Sequence, residues 1–153
     1  MAYFRCPIGF VRVVTGPRGV VSVDFKDRVP AKKSAVYSPE LKICIRQLKE
    51  YFKGSGTRFS FRMDPAGTVF QKKVWAKISR IPYGRTISYQ GIAAALGKKK
   101  AARAVGQAVG KNPVCVLVPC HRVLGSRGLG GYSAGMHRKK WLLKHEKARR
   151  KRT

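Results

Sequence analysis

Acidic residues are scarce in this chain: 6 Asp and Glu stand against 34 Lys and Arg among 153 residues, a formal charge of +28. A compact body with that charge repels itself, so the imbalance points to a polyanionic partner. Long apolar runs are missing too, and no segment is apolar for long enough to cross a bilayer. The N-terminus has neither the apolar core nor the small-residue cleavage site of a secretory signal. We therefore expect a cytoplasmic protein (nuclear in a eukaryote) with no membrane contact. Histidine is confined to three positions, none within the first 120 residues. The four cysteines, Cys6, Cys44, Cys115 and Cys120, contain no C-x-x-C pair and match neither a disulfide framework nor a zinc ribbon. A reducing compartment fits that usage.

What is present supports a folded domain. Hydrophobic residues make up 44% of the chain, enough for a packed core in one ordinary domain or two small ones. The charge is uneven: residues 1–62 carry 13 basic and 4 acidic side chains, and residues 63–153 carry 21 and 2. The second half is the better candidate for an anion-facing surface. Nucleic acid is the default partner of such a surface, through phosphate neutralisation and counterion release. Composition alone leaves a ribosomal or DNA-packing protein open.

Residues 3–30 alternate short β-rich runs, Phe10–Val14 and Val20–Phe25, around Thr15-Gly16-Pro17-Arg18-Gly19, which predicts a hairpin. Ser38-Pro39-Glu40 opens a helix: serine caps, proline fits the first turn, and the acid favours the positive dipole end. Leu41, Ile45, Leu48 and Phe52 carry it to the stop at Gly54 and Gly56, with Cys44 in the core stripe. A strand over roughly 58–62 is expected to close this α+β unit, in which no catalytic constellation is visible. Met63–Gly67 marks a boundary, giving units 1–65 and 66–153. Beyond it, Phe70, Val74, Ile78 and Ile81, with Val69 alongside, predict an amphipathic helix to about residue 80. Pro82–Thr86 is a turn, and Ser88 can cap a second helix running to Leu96. Gly97 and Lys98–Lys100 interrupt it before a third helix from about Ala101 to Val109. Two short helices about a three-to-four-residue break form a helix-turn-helix pattern.

Ala102, Gly106 and Gly110 recur every four residues on that third helix. Such a stripe serves either close helix packing or entry of the helix backbone into a narrow groove, and the sequence leaves both open. Pro119-Cys120-His121-Arg122-Val123 follows, then a glycine-rich loop over residues 125–135 and a helix holding Trp141-Leu142-Leu143 and His145-Glu146. The tail Lys147–Arg152 is expected to be solvated or phosphate-bound, not folded. A cysteine reacts as the thiolate, and an adjacent histidine can lower its pKa or take its proton. The pentapeptide by itself is equally compatible with a buried structural cysteine.

Six blocks bring the chain to a known family: Ile87-Ser88-Tyr89, Lys100–Gly106, Asn112-Pro113-Val114, Pro119–Val123, Gly130-Gly131-Tyr132-Ser133 and Trp141–Glu146. In this order and spacing, residues 86–146 resemble the catalytic domain of the O6-alkylguanine-DNA alkyltransferases, with a looser match back to about residue 66. The resemblance implies an α+β protein: a small strand-helix, ribonuclease-H-like N-terminal domain and a helical, winged helix-turn-helix C-terminal domain. It implies single-turnover repair, in which an alkyl group moves from O6 of guanine in DNA to a cysteine. O4-alkylthymine is a further candidate substrate. The DNA is itself the alkyl donor, so no cofactor is expected. By this resemblance Cys120 is the nucleophile, His121 takes its proton through a water, and Glu146 orients the histidine. Glu146 is also the only acid among the last 89 residues. Tyr89 would donate toward N3 of the leaving guanine, and Asn112 would tie the helix-turn-helix to the nucleophile segment.

The same resemblance assigns the pocket and the DNA surface. The Cys120 and Val123 carbonyls would read the guanine amine, Ser133 would contact O6, and Tyr132 would form a wall. Arg103 would fill the space left by a base rotated out of the stack. Ala102 and Gly106 would let the helix enter the minor groove, where sequence is read poorly. Lys98–Lys100, Lys111 and Arg122 would attract phosphates. The expected partner is double-stranded DNA, bound by a monomer. Cys115 stands where many relatives have proline on the pocket wall, and Gly131 where asparagine is frequent; both bear on the size of alkyl group admitted. A metal-binding Cys and His set seen in some N-terminal domains of the family is not evident, so no structural zinc is expected. Two other classes compete: a lesion-binding alkyltransferase-like protein, which lacks the cysteine, and a winged-helix DNA-binding protein, which leaves Cys120, His121 and Glu146 unexplained. A zinc deaminase needs a second cysteine after Pro119-Cys120 that is absent here.

Overall fold

Apolar and polar side chains alternate through the first 26 positions, and they form three antiparallel strands: β1 (Ala2–Cys6), β2 (Gly9–Gly16) and β3 (Gly19–Lys26). The computed structural model of the chain describes residues 1–30, 38–56 and 58–150. Pairing of Phe4 with Val11, Val11 with Phe25 and Val13 with Val23 places the apolar alternates on one face of the sheet. The hairpin expected around Thr15–Gly19 is there, and β1 extends it to a third strand. Helix α1 (Pro39–Lys53) covers that face with Leu41, Cys44, Leu48, Tyr51 and Phe52. Ser38 caps it by accepting the Leu41 N–H, and Gly54 ends it in the left-handed conformation (φ 74°). Phe52 meets Phe4 and Phe25 edge-on, with ring centres 6.2 and 6.3 Å apart.

The strand expected over residues 58–62 does not form. The segment touches the sheet at one parallel bridge, Val20 with Met63, where Val20 N–H donates to Arg62 O and Asp64 N–H donates to Val20 O. It passes so close to Gly19 (φ 135°) that a Cβ there would lie 2.4 Å from the Arg62 carbonyl oxygen. A crossing at one point, not an alignment along the strand, is what that contact permits. By contacts the chain forms two units: Met1–Ala66 with Pro113–Cys115, and Gly67–Asn112 with Val116 onward. A boundary between 65 and 66 makes no provision for residues 113–115. They belong to the first unit because Val23 N–H donates to Pro113 O and Cys115 N–H donates to Val23 O, both at 2.8 Å.

In the second unit α2 (Val69–Ile78) starts with a full capping box, Thr68 and Gln71 bonding reciprocally, and buries Val74, Trp75 and Ile78. Val69, expected beside the apolar stripe, is 74% exposed at the first turn. A short parallel pair follows, β4 (Ile87–Ser88) with β5 (Val123–Leu124). Ser88 also caps α3 (Tyr89–Ala95) by accepting the Gly91 N–H. The break before α4 (Ala102–Gly110) is longer than the three to four residues expected. Gly97 turns left-handed (φ 68°), and Ala101 N–H bonding to Lys98 O inserts a further turn. Helix α4 buries Val105, Ala108 and Val109, and Trp75 Nε1 donates to the Ala108 carbonyl at 2.9 Å. Helix α5 (Met136–Arg150) runs through the basic tail to residue 150, so 147–150 are helical, contrary to expectation. Lys, Arg and Ala are good helix formers, and cations suit the negative end of the dipole. The remaining tail residues, 151 and 152, lie outside the described residues.

Candidate active site

Two residues of parallel sheet organise the site. Ile87 pairs with Val123 and Ser88 with Leu124. Tyr89 follows β4 directly, and a single 3-10 turn, Cys120–Arg122, leads directly into β5. Because the pair is parallel, the turn lies at its entry end, and Tyr89 leaves at the other end beside the glycine-rich loop. The approach to that turn is strained: Val116 has φ 71°, an unfavourable conformation for a β-branched residue. Asn112 is buried and its Nδ2 donates to Val118 O at 2.8 Å, while Cys120 N–H donates to the same carbonyl. The asparagine thus ties the end of the helix-turn-helix to the segment holding the thiol.

Cys120 is 3% exposed, and His121 and Glu146 are fully buried. His121 Nε2 lies 2.7 Å from Glu146 Oε1, and its Nδ1 is buried with no partner among the described residues. Glu146 accepts more than the histidine. Arg122 Nε donates to Oε2 at 2.8 Å and Nη2 to Oε1 at 2.9 Å, and Gly84 N–H reaches Oε2 at 3.1 Å. Arg122 was expected among the phosphate contacts; it is instead 8% exposed and spends its third donor, Nη1, on Ile81 O at 2.6 Å. A buried carboxylate needs a charged partner, and Arg122 is the one that supplies it. Burial alone would push Glu146 up, but the bonds and charges of His121 and Arg122 hold it well below the usual carboxylate range. Burial pushes His121 down; Glu146 opposes this, and Arg122 and Lys139 reinforce it. The consistent state is an ionised carboxylate facing a neutral imidazole.

Lys139 is a site residue that sequence reasoning passed over. Fully buried, its Nζ donates to Val123 O at 2.7 Å and Gly131 O at 3.0 Å. It clamps the strand after the thiol to the glycine-rich loop. Burial pushes its ammonium down, and the charge of Cys120 pulls it up, so thiol and ammonium lie within electrostatic reach. Among 34 basic residues it carries no signal of its own. Its one clue is helical spacing, since Lys139, Leu142 and Glu146 share the buried face of α5.

A cavity of about 360 Å³ is lined by Tyr89, Gly106, Val109, Gly110, Gly131, Tyr132 and Ser133. Burial pushes the Tyr89 phenol up, a hydrogen bond from the Gly131 backbone opposes it, and the charge of Cys120 adds to the rise. Tyr89 therefore keeps its proton at neutral pH. Gly130 (φ 69°) is required beside it, because a Cβ would come within 3.0 Å of the Tyr89 ring and of Gly125 N. Gly131 has no such need; a Cβ there meets nothing within 4 Å among the described residues. Cys115 is not part of this lining, being buried in the first unit against β3. The Cys120 and Val123 carbonyls each accept an internal bond, from Val123 N–H and from Lys139.

Gly106 faces this cavity, and a Cβ on it would reach only the Tyr89 ring, at 3.8 Å; one on Gly110 would meet nothing within 4 Å among the described residues. The small-residue stripe is therefore not a helix-packing seam at these two positions. Ala102 is half-buried at its start, while Arg103, Lys111 and Lys98–Lys100 are exposed around it.

Comparison with known proteins agrees with this architecture. Residues 69–148 match the 6-O-methylguanine DNA methyltransferase DNA binding domain, and residues 1–65 match the ribonuclease-like domain of the same family. The chain belongs to the 6-O-methylguanine DNA methyltransferase family. It is 41% identical over 150 residues to the methylated-DNA–protein-cysteine methyltransferase of Methanosarcina acetivorans, covering 95% of this chain and 96% of that one. To the Mycobacterium bovis protein of that name it is 50% identical over 106 residues, 69% of this chain and 64% of that one. Among solved structures, Mycobacterium tuberculosis OGT in complex with DNA superposes with a TM-score of 0.86 at 38% identity, covering 96% of this chain and 92% of that one. The O6-methylguanine DNA methyltransferase of Methanococcus jannaschii gives 0.72 at 29%, covering 95% and 93%. In this methyltransferase the buried His121–Glu146 pair adjoins Cys120 in sequence, and Tyr89, which borders the cavity with Ser133, lies within electrostatic reach of the thiol.

Proposed function

We propose that this chain carries out direct-reversal repair of O6-alkylguanine in DNA, with Cys120 as the acceptor. The observation that carries the reading is the buried pair of His121 and Glu146 next to the thiol, since a nucleophile, a base and an orienting carboxylate are what displacement at a saturated carbon needs. Cys120 gives its proton to His121 through a water. The thiolate then attacks the alkyl carbon, forming a C–S bond while the C–O bond breaks, and the electron pair leaves with guanine. Tyr89 donates a proton to the leaving ring at N3, and exchange with the site returns one to Tyr89. The thioether is permanent, so each molecule acts once.

A base inside a duplex is out of reach and must be rotated out of the stack. Arg103 at the exposed start of α4 suits a residue that fills the gap, and the open edge formed by Gly106 and Gly110 suits entry into a minor groove. Lys98–Lys100 and Lys111 supply phosphate attraction. Asn112 holds the nucleophile segment, and Tyr132, Ser133 and the Val123 carbonyl receive the base. The protein acts as a monomer on double-stranded DNA. A lesion-binding role without transfer would give Cys120 no work.

Incubation with duplex DNA carrying O6-methylguanine, followed by intact mass measurement and peptide mapping, tests this. One methyl group on Cys120, stoichiometric and without turnover, is expected. Cys120→Ala keeps DNA binding and loses transfer, whereas Arg103→Ala loses transfer through failed extrusion. No mass change, or a methyl on another residue, sinks the assignment.

A further inference from the structure

We propose that Arg122 is a positioning residue for His121: by occupying Glu146 with a two-pronged ion pair, it keeps the buried imidazole uncharged and its Nδ1 a proton acceptor. The inference rests on the reading of Cys120 as the nucleophile and deepens it. A carboxylate alone beside a buried imidazole would draw a proton onto the ring and leave no base. Here the carboxylate is already neutralised. Both oxygens of Glu146 receive the Arg122 fork, at 2.8 and 2.9 Å, and the third nitrogen is anchored on Ile81 O at 2.6 Å. The guanidinium also lies over the Tyr83 ring, 5.6 Å from its centre. Planar, two-pronged pairing of this kind is a guanidinium property that a lysine ammonium reproduces only as a point charge.

Tautomer follows from partner. Glu146 Oε1 can only accept, so His121 Nε2 carries the ring proton and donates across 2.7 Å. An uncharged ring then has a bare Nδ1, the nitrogen with no partner among the described residues. The other groups around the ring act in the same sense as Arg122. Lys139 of α5 disfavours a second cation, leaving Glu146 as the one opposing charge. Helix α2 also packs against the turn, and its charges are positive, with Lys72 and Lys73 exposed to solvent and Lys77 half-buried. Cys120 precedes His121 and becomes an anion only as it surrenders its proton. Charging His121 would therefore add a cation beside Arg122 and Lys139, with only a carboxylate already paired with Arg122 to offset it. Arg122, adjacent in sequence to the histidine it controls, is the closest of these to Glu146.

Histidine-labelled NMR on the full chain reads the effect directly, because His121 is one of only three histidines. In the wild-type protein His121 is expected as the neutral Nε2–H tautomer at pH 7, titrating below the usual histidine range. In Arg122→Met its titration rises by about one unit or more, and the single-turnover methyl-transfer profile moves to higher pH by the same amount. Arg122→Lys keeps the cation but loses the fork, so both readouts fall between wild type and Arg122→Met. An imidazolium at pH 7 in the wild type overturns the proposal, and this measurement needs no variant to fold. So does an unmoved His121 titration in Arg122→Met together with a rate loss equal at every pH, as a merely structural arginine would give. Should the His121 shift appear while wild-type protein transfers nothing to Cys120, the nucleophile assignment fails and the role of Arg122 stands.

Discussion

Cys44 and Cys120 are both buried thiols, and their neighbours separate them. Cys44 is fully enclosed in the apolar core under α1, where burial pushes it up to about 12, so it stays a thiol and packs. Cys120 lies within electrostatic reach of an ammonium and a phenol, Lys139 and Tyr89. Lys139 matters for position as well as charge, since it bonds Val123 O and Gly131 O at once. Lys139→Met keeps the volume and removes the clamp. We expect its single-turnover transfer rate to fall about 100-fold, the order that a small misplacement of reacting groups costs. Duplex binding, measured by anisotropy, should hold within about twofold, because a buried lysine neutralises no phosphate. Equal loss of both would make Lys139 a folding residue only.

At the scale of elements, the site depends on two very short strands and one loop. β4 and β5 contribute two residues each, yet their parallel register sets Tyr89, leaving β4, level with Gly125, leaving β5, at the start of the glycine-rich loop. Ser88 serves twice, as the end of β4 and as the cap of α3. Ser88→Ala should lower stability by about 1 kcal/mol, the usual worth of such a cap, as read by urea unfolding. The loop is less forgiving. Gly130→Ala forces a Cβ into a left-handed position (φ 69°) and against backbone at Gly125 and the Tyr89 ring. Transfer should fall more than stability does, because the displaced group is the phenol. A variant with wild-type transfer kinetics would show that Tyr89 does not depend on this loop.

For the whole molecule the dominant quantity is the charge of +28. If six or more phosphates are neutralised, affinity for an undamaged duplex should drop on the order of 1000-fold between 50 and 200 mM salt. The transfer rate of the saturated complex should barely change, since the His121–Glu146 pair is enclosed and poorly screened. Rapid-mixing transfer assays beside anisotropy titrations check both halves. A shallow salt dependence would mean that most of the surplus cations face no DNA.

The sequence by itself determined the local elements and named the residues proposed to react. Ser38, Ser88 and Gly54 marked helix ends because capping and left-handed turns are local chemistry. Cys120, His121, Glu146, Tyr89 and Asn112 were legible through ordered motifs, and the scarcity of acids made Glu146 conspicuous. Long-range pairing was not legible. Nothing local says that residues 58–62 cross the sheet at one point, or that Pro113–Cys115 pair with β3. Tertiary structure alone decided which basic residues are surface and which are machinery. Arg122 and Lys139 look like the other cations in the sequence, but burial obliges each to find partners, and those partners are the carboxylate and the carbonyls that build the site.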